Sequence, residues 1–303
     1  MKKVFLIVSI LLFIVLFLLF NLKQEKIKNI INPTEESIKN DELIINFLDI
    51  GQGDATFIVF PDGQKMLVDC AIDGRIIEAL GRVMEYWDHE IDYLLVTHPD
   101  LDHYGGCEEV MNRFEVKNIV YNGLQKEYDN LWNSFWQAIQ SEEANYIEID
   151  SEDVWQIAST SLHFYYPDHS IVDDQNIPGL EKDVGANNTS IVFELEYKDN
   201  EILFMGDAEE ELEKYLLGVY GDQLDSDILK AGHHGSSGAS SQEFIDLVTP
   251  QSAVFSCGLD NSFGHPSPRV IKRVERVSST VWRTDLQGDI VARVGEKIKL
   301  EIK

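Results

Sequence analysis

Cysteine is scarce in this chain. Only Cys70, Cys107 and Cys257 occur among 303 residues, and an odd number excludes a fold held entirely by paired cysteines. The chain also lacks the Cys-x-x-Cys spacing of zinc and redox motifs. Each cysteine lies in or beside an apolar run, so we expect three small buried side chains rather than ligands or nucleophiles.

Basic residues are few as well. The chain has 25 lysines and arginines against 53 aspartates and glutamates, which gives a formal net charge of -28. Such a charge keeps a protein soluble and repels phosphate polymers at long range. A polyanionic substrate would therefore need a local positive feature, and bound metal ions are one candidate. Hydrophobic residues make up 44% of the chain, which is typical of a globular protein and argues against disorder.

A long apolar run lies at the N-terminus. Residues 4–20 are apolar except for Ser9 and follow Lys2 and Lys3, and their length is at the low end of a bilayer span. No small-x-small cleavage site follows the run. We therefore expect a signal-anchor over residues 1–21, with a signal peptide as the alternative, and a polar linker over residues 22–42. The remaining domain, residues 43–303, is expected outside the cell membrane, or secreted if the first segment is cleaved.

From residue 43 onward, short apolar runs alternate with amphipathic segments. The runs predict strands at residues 43–48, 55–60, 66–68, 91–96, 190–197, 201–205, 227–229, 252–255, 280–282, 289–294 and 297–302. The amphipathic segments predict helices at residues 75–86, 209–217, 242–248 and 268–277, and another that ends near residue 114. The acidic stretch over residues 141–153 is expected to be a solvated face or loop. This order favours an α/β fold in which helices cover two mixed sheets, a four-layer αββα sandwich.

The densest polar motif is His98-Pro99-Asp100-Leu101-Asp102-His103, directly after an apolar strand. Imidazole and carboxylate groups are ligands of zinc and manganese. A strand end followed by a glycine-bearing turn can bring several side chains toward one point, whereas a helix would spread them over different faces. A polar surface turn is the alternative, but two histidines and two aspartates in six residues favour a metal site.

Two further strand ends carry candidate ligands. Asp207 follows Gly206, and His233 and His234 lie between Gly232 and Gly235. Either segment alone could be an ordinary turn. Five of the eight histidines, however, lie where an apolar run meets a glycine: His98, His103, His233, His234 and His265. Together these positions predict one site that binds a pair of metal ions.

The run from His98 to Gly106 resembles the metal-binding signature of the metallo-β-lactamase superfamily. It is most similar to the branch that contains the extracellular hydrolase domain of the ComEC/Rec2 competence proteins. Further stretches that resemble this branch lie at residues 47–54, 187–192, 229–236, 263–266 and 283–288. The resemblance extends over about residues 43–300, and it implies the superfamily's sandwich fold and a metal-dependent hydrolase activity.

The resemblance also implies roles for individual residues. His98 and Asp100 would bind one metal, Asp102 and His103 the other, and Asp207 would bridge them. His233 or His234 would complete the second site, and we expect His234, because it directly precedes the glycine. His233 would then contact substrate or orient a ligand. The residues expected to support the ligands from behind are Asp49, Asp54, Asp69, Asn187 and Asn188.

Asp100 departs from the usual pattern, since most members of the superfamily have a histidine there and another near Asn187. Oxygen ligands favour manganese or magnesium relative to zinc. We therefore expect two divalent metal ions, zinc or manganese. The predicted catalytic residues are Asp102, His233 and His265, with the two histidines as proton donors or oxyanion contacts. The alternative for His265 is a turn histidine before Pro266.

A basic segment follows His265. Helical spacing places four basic residues on one broad face: Arg269, Lys272, Arg273 and Arg276. This face is either an ordinary solvated surface or a patch that steers phosphates. The leading hypothesis is a phosphodiesterase that acts outside the membrane on nucleic acid or an envelope phosphodiester. The alternatives are an amide or ester hydrolase of the lactam type, and a metal-stabilised binding module without turnover. The partners expected are such a substrate and, through the N-terminal helix, the membrane; no protein partner is predicted.

Overall fold

The computed structural model describes residues 41–126, 129–180 and 185–303. The predicted N-terminal hydrophobic helix, and all of the linker except its last two residues, lie outside these ranges. Within them, every helix is too short or too polar to cross a bilayer.

The first sheet has eight strands in the order β15-β14-β1-β2-β3-β4-β5-β6. They are β1 (Leu43–Phe47), β2 (Thr56–Val59), β3 (Lys65–Val68), β4 (Glu90–Leu95), β5 (Glu115–Tyr121), β6 (Asn145–Glu148), β14 (Ile290–Val294) and β15 (Ile298–Ile302). The strands from β3 to β6 are parallel, and the others pair antiparallel. The sheet is therefore mixed, as expected.

The second sheet has seven strands in the order β13-β12-β11-β10-β9-β8-β7. They are β7 (Asp153–Ile157), β8 (Thr160–Tyr166), β9 (Val192–Tyr197), β10 (Asn200–Phe204), β11 (Ile228–Lys230), β12 (Ser252–Phe255) and β13 (Thr280–Arg283). The strands from β10 to β13 are parallel, so their carboxyl ends share one edge of the sheet.

Eight α-helices are described in the same ranges. They are α1 (Arg75–Val83), α2 (Leu101–Tyr104), α3 (Cys107–Met111), α4 (Asn130–Ser141), α5 (Glu210–Tyr220), α6 (Gln242–Val248), α7 (Pro268–Arg276) and α8 (Thr284–Gln287). Short 3-10 turns occur at Ala186–Thr189, Gly221–Leu224 and Gly232–Gly235. The helix predicted at residues 75–86 ends at Val83, because Met84 adopts an extended conformation.

Two hydrophobic clusters show how the sheets and helices pack into layers. Alternate strand residues such as Phe47 on β1 and Phe204 on β10 belong to a cluster between the two sheets, and their rings lie 6.2 Å apart. Leu203, which directly precedes Phe204 on β10, belongs to a second cluster, together with Leu80 of α1 and Leu212 of α5. Because strand side chains alternate between faces, one face of each sheet packs on the other sheet and the opposite face packs on helices. The α/β sandwich with two sheets is thus confirmed.

One expectation from the sequence is wrong. Cys70 and Cys107 form a disulfide, and only Cys257 is a free buried thiol. The pairing arises because the loop after β3 lies against the start of α3, where the backbone N–H of Cys70 donates to the carbonyl of His103 at 2.6 Å. The acidic stretch at 141–153 is a solvated face, as expected, since most of its side chains are exposed. It contains β6, an edge strand whose exposed side chains make its sequence polar.

Candidate metal centre

Three strand ends bring the predicted ligands together. His98, Asp102 and His103 follow β4, Asp207 follows β10, and His234 follows β11. We call these five residues the His/Asp cluster. Ligand atoms of His98, His103 and Asp207 all lie within 4.8 Å of one another, and so do those of Asp102, His103 and His234. His103 thus belongs to both groups.

Asp207 lies at the centre of the cluster. Its Oδ1 is 3.3 Å from Nε2 of His103, and its Oδ2 is 3.5 Å from Nε2 of His234 and 3.9 Å from Nε2 of His98. Nε2 of His234 is also 3.4 Å from Oδ2 of Asp102. Burial alone would raise the pKa of the Asp207 carboxyl, but His234 and His103 hold that pKa well below its usual value. Asp207 is therefore a buried carboxylate in contact with imidazoles.

Nδ1 of each imidazole, the ring nitrogen that faces away from Asp207, forms a hydrogen bond with a residue outside the cluster. Nδ1 of His103 donates to Oδ2 of Asp69 at 2.7 Å, and Nδ1 of His234 donates to the carbonyl of Ser256 at 3.0 Å. Thr97 donates its hydroxyl proton to Asp69, so its oxygen accepts from Nδ1 of His98 at 3.1 Å. These bonds place the Nε2 lone pairs toward Asp207, which is how proteins orient histidine ligands of metals.

The inner atoms of the cluster lack hydrogen-bond partners in the part of the chain that the structure describes. They are Nε2 of His98, His103 and His234 and Oδ1 of Asp207, all buried. Buried polar atoms are nearly always paired, so converging unpaired acceptors indicate that something else occupies the space between them. Imidazole nitrogens and carboxylates are ligands of divalent transition metals. The residues present therefore fit a pair of such cations.

Asp100 lies at the edge of the cluster. Its Oδ2 is 3.6 Å from Nε2 of His98, while its Oδ1 accepts a hydrogen bond from Lys126. The neighbouring imidazole of His98 is the main reason why the pKa of Asp100 is lowered, and the ammonium group of Lys126 lowers it further. Lys126 was not predicted, because it follows β5 in a loop without any motif. It places a cation beside a predicted ligand, at the mouth of the site.

His233 lies beside the cluster and is half-buried. Its Nε2 is 3.8 Å from Oδ2 of Asp207, and its Nδ1 donates to Glu209 at 2.9 Å. Asn187 donates to the same carboxylate at 3.2 Å, and the side chain of Asn188 accepts from the backbone N–H of Glu209 at 2.9 Å. Burial lowers the pKa of His233, but the hydrogen bond to Glu209 and the negative charges of Asp207 and Glu209 together outweigh burial and raise that pKa. Both asparagines therefore position His233 through Glu209, a residue that the sequence motifs did not indicate.

His265 also lies beside the cluster. Its ring is 5.5 Å from the ring of His233 and 5.7 Å from that of Phe263. Asn261 fixes the backbone of His265 by accepting from its N–H at 2.9 Å and donating to its carbonyl at 2.6 Å. Burial, and then the neighbouring His233 and His234, lower the pKa of His265. A neutral imidazole therefore faces the site near pH 7.

The loop after β1 supports the cluster from another side. The backbone N–H of Asp54 donates to the carbonyl of Asp102 at 3.1 Å, and its buried carboxylate pairs with Lys230 at the end of β11. A Cβ on Gly53 would lie 2.3 Å from the carbonyl of Asp102, so only glycine permits this approach. Asp49 accepts from the backbone of Gly51 at 3.2 Å. Asp49 thus shapes the loop rather than holding a ligand.

The basic segment forms α7 as predicted, with Ser267 as its N-cap. Arg269, Lys272 and Arg276 are exposed. Arg273 is not part of that exposed face: it is only 6% exposed and donates to the carbonyls of Ala239 and Ser240 at 3.1 and 2.8 Å. The expectation that Arg273 contacts substrate is therefore corrected, because its guanidinium holds the loop that follows His234.

Comparisons with known proteins show the family of this chain. The sequence profile described as the metallo-beta-lactamase superfamily matches residues 48–258, and the chain belongs to that superfamily. Among curated proteins it is similar to ComE operon protein 3 of Bacillus subtilis (strain 168), with 27% identity over 84% of this chain and 33% of the relative. Competence protein ComA of Neisseria gonorrhoeae is 27% identical over 86% of this chain and 33% of its own length. The chain thus spans about a third of these relatives.

Solved structures show the same fold. YhfI of Bacillus subtilis, a metallo-beta-lactamase fold protein, has a TM-score of 0.54 and 11% identity over 84% of this chain and all of its own. CmlA, a diiron beta-hydroxylase from Streptomyces venezuelae, has a TM-score of 0.52 and 15% identity over 84% of this chain and 54% of its own. These likenesses concern the fold alone. The similarity to the ComEC/Rec2 branch that the motifs indicated is confirmed by the curated relatives.

Proposed function

We propose that the chain is a metal-dependent phosphodiesterase. The observation that carries this proposal is the set of buried, unpaired Nε2 atoms of His98, His103 and His234 around the carboxylate of Asp207. Divalent cations bound there would supply Lewis acidity and activate water near neutral pH. The ligand set proposed is His98 and Asp100 for one cation and Asp102, His103 and His234 for the other, with Asp207 between them.

Three residues beside the cluster complete the proposed site. His233, held by Glu209, and His265, held by Asn261, are the candidates for proton transfer or contact with a developing negative charge. Lys126 lies at the mouth beside Asp100, where its ammonium group would contact a phosphate oxygen of the substrate. Together they would bind and orient a phosphodiester over the cluster.

Nucleic acid is the substrate we favour. The curated relatives include a competence protein and a protein named Recombination protein 2 of Haemophilus influenzae, which is 27% identical over 81% of this chain and 28% of its own length. Recombination acts on nucleic acid, and this supports a phosphodiester substrate over a lactam. The oxygen ligand at Asp100 also supports it, because oxygen ligands suit manganese and magnesium better than zinc.

We also propose that the domain acts outside the membrane, held by the segment at residues 1–21. The disulfide between Cys70 and Cys107 supports this location, because disulfides persist in oxidising compartments and are rare in the cytosol.

The test of the proposed function is a substrate panel for the full-length protein after metal removal and reloading with zinc or manganese. The panel contains bis-p-nitrophenyl phosphate, a single-stranded oligonucleotide, a glycerol phosphate polymer and a chromogenic lactam. We expect hydrolysis of the first two, lost with chelation and restored by metal. Turnover of the lactam alone would indicate the amide hydrolase. Metal binding without any turnover would indicate a binding module.

A further inference from the structure

A groove of about 480 Å³ borders the His/Asp cluster. It lies between the loop after β1 and the loop after β12, and its lining includes Gln52, Arg75, Gly258, Leu259, Asn261 and Phe263. None of the metal ligands proposed above lines this groove. It is therefore a separate surface whose occupant would lie next to the reacting group.

Two contacts join the groove to the cluster. On one wall, the side-chain amide of Gln52 donates to Oδ2 of Asp102 at 3.4 Å. On the other wall, the ring of Phe263 lies nearly parallel to that of His265, with an interplanar angle of 27°, and His265 in turn contacts His233. A group in the groove would thus be one residue, Gln52, away from the proposed ligand Asp102, and Phe263 would connect it to His265 and His233.

Two large apolar side chains line the groove and are accessible. The side chains of Leu259 and Phe263 are 67% and 66% exposed and both line this groove, and exposed apolar side chains that cluster in a groove mark contact with another molecule. The loop that carries them is held in place, because Asn261 bonds to the carbonyl of Gly258 at 2.9 Å and to the backbone of His265 on both sides. The aromatic platform is therefore preorganised.

The charges in the lining do not favour a phosphate. Arg75 is already bound in a fork to Asp73, with N–O distances of 2.8 and 3.0 Å. The lining also includes the carboxylates of Asp49 and Asp285, of which the second pairs with Arg283 at 2.6 Å. With one paired guanidinium and two carboxylates, the groove suits an uncharged planar group better than an anion.

Resting on the proposed phosphodiesterase function, we propose that this groove binds a nucleobase of the nucleotide that flanks the scissile phosphodiester. Phe263 would stack on the base, and the amide of Gln52 would contact its polar edge. Stacking on an aromatic side chain is tolerant of sequence, because every base has a π-face. The groove would therefore select nucleic acid over an envelope phosphodiester that lacks bases.

The test compares two single-stranded trinucleotides that differ only at the position flanking the cleaved bond. One carries 2-aminopurine there and the other an abasic residue. We expect the wild-type protein to prefer the base-containing substrate, and Phe263→Ala to raise its KM about tenfold, which is within the range of one base–aromatic stack. The KM of the abasic substrate should rise much less in this variant, because that substrate has no base to stack on Phe263.

Two further variants distinguish stacking from a general structural effect. Phe263→Trp should restore the KM, since it keeps an aromatic face. Tyr86→Ala removes an equally exposed aromatic residue, 86% exposed and remote in sequence from the groove loops, and should behave as wild type. Fluorescence quenching of 2-aminopurine on binding should be lost only in Phe263→Ala.

The outcomes separate this proposal from the proposed function. Equal hydrolysis of both trinucleotides, insensitive to Phe263→Ala, would overturn the nucleobase groove and leave the phosphodiesterase intact. A Phe263-dependent preference for p-nitrophenyl phosphorylcholine over both trinucleotides would assign the groove to a cationic group instead. If the metal-loaded wild type cleaves no phosphodiester and does not quench 2-aminopurine, both proposals fail. Quenching without cleavage would contradict only the proposed phosphodiesterase activity.

Discussion

Oδ2 of Asp69 accepts a hydrogen bond from Nδ1 of His103 at 2.7 Å, and this contact determines which nitrogen of His103 faces Asp207. The same carboxylate accepts from the hydroxyl and the backbone N–H of Thr97, at 2.9 and 2.8 Å. Through Thr97 it also orients His98. One buried carboxylate behind the cluster thus positions two of its three imidazoles.

Replacing this carboxylate should weaken metal binding without unfolding the protein. For Asp69→Asn we expect a loss of about 10- to 100-fold in metal affinity, the usual effect of removing an outer partner of a histidine ligand. The measurement is competition with a chelating dye. Asp62→Asn, in the exposed turn after β2, is the matched control and should bind metal as wild type. Unchanged affinity in Asp69→Asn would show that Asp69 does not orient the ligands.

His233 and His234 should differ when each is replaced by alanine. His234 is buried within the cluster, whereas His233 is half-buried and held by Glu209. We expect His234→Ala to lose bound metal, because it removes a proposed ligand. His233→Ala should retain metal and lose mainly kcat. Metal analysis of the two purified variants checks this, and depletion in His233→Ala alone would reverse the assignment.

The exposed basic residues of α7 should steer a phosphate polymer. Replacing Arg269, Lys272 and Arg276 by glutamine should raise KM for a long oligonucleotide and leave bis-p-nitrophenyl phosphate unchanged. The effect should shrink as salt rises, because exposed charges more than about 10 Å apart are screened at about 0.1 M salt. Steady-state kinetics at two salt concentrations measure both effects.

A second triple variant controls for the change in net charge. Arg113, Lys297 and Lys299 are exposed and lie outside α7, and their replacement by glutamine removes the same charge. Polymer kinetics should then match wild type. If both triple variants respond equally, or neither responds, α7 is an ordinary solvated face.

The disulfide should be present in the purified protein. Unfolded without reductant, each chain should expose one reactive thiol, that of Cys257, rather than three. Because the disulfide closes a loop with a sequence separation of 37 residues, its reduction should lower the free energy of unfolding by about 3–4 kcal/mol. Thiol titration and denaturant unfolding measure these quantities. Three reactive thiols per chain would contradict the pairing and remove its support for an extracellular location.

Local patterns predicted much of this molecule, since apolar runs locate strands such as β10 and β12 to within a residue or two. They did not indicate β6, because an edge strand with exposed side chains has a polar sequence. The disulfide and the burial of Arg273 arise from contacts between segments that are distant in sequence. Helical spacing places Arg273 on a helix, but it cannot show that the loop after His234 covers that position.

The candidate site likewise contains residues that local sequence patterns predict and residues that only contacts with distant segments define. His98, His103, Asp207 and His234 could be predicted because strand ends and glycines mark them, and the structure brings them together. Lys126 and Glu209 could not, because neither lies in a motif and each is defined by its neighbour, Asp100 or His233.

The central proposal, that Asp207 would help to hold both cations, is tested most directly by metal analysis of Asp207→Ala beside wild type. Its carboxylate contacts all three imidazoles of the cluster, so its loss should abolish phosphodiester hydrolysis and reduce bound metal from two equivalents to one or none. Two tightly bound metals and near-normal turnover in Asp207→Ala would contradict the account.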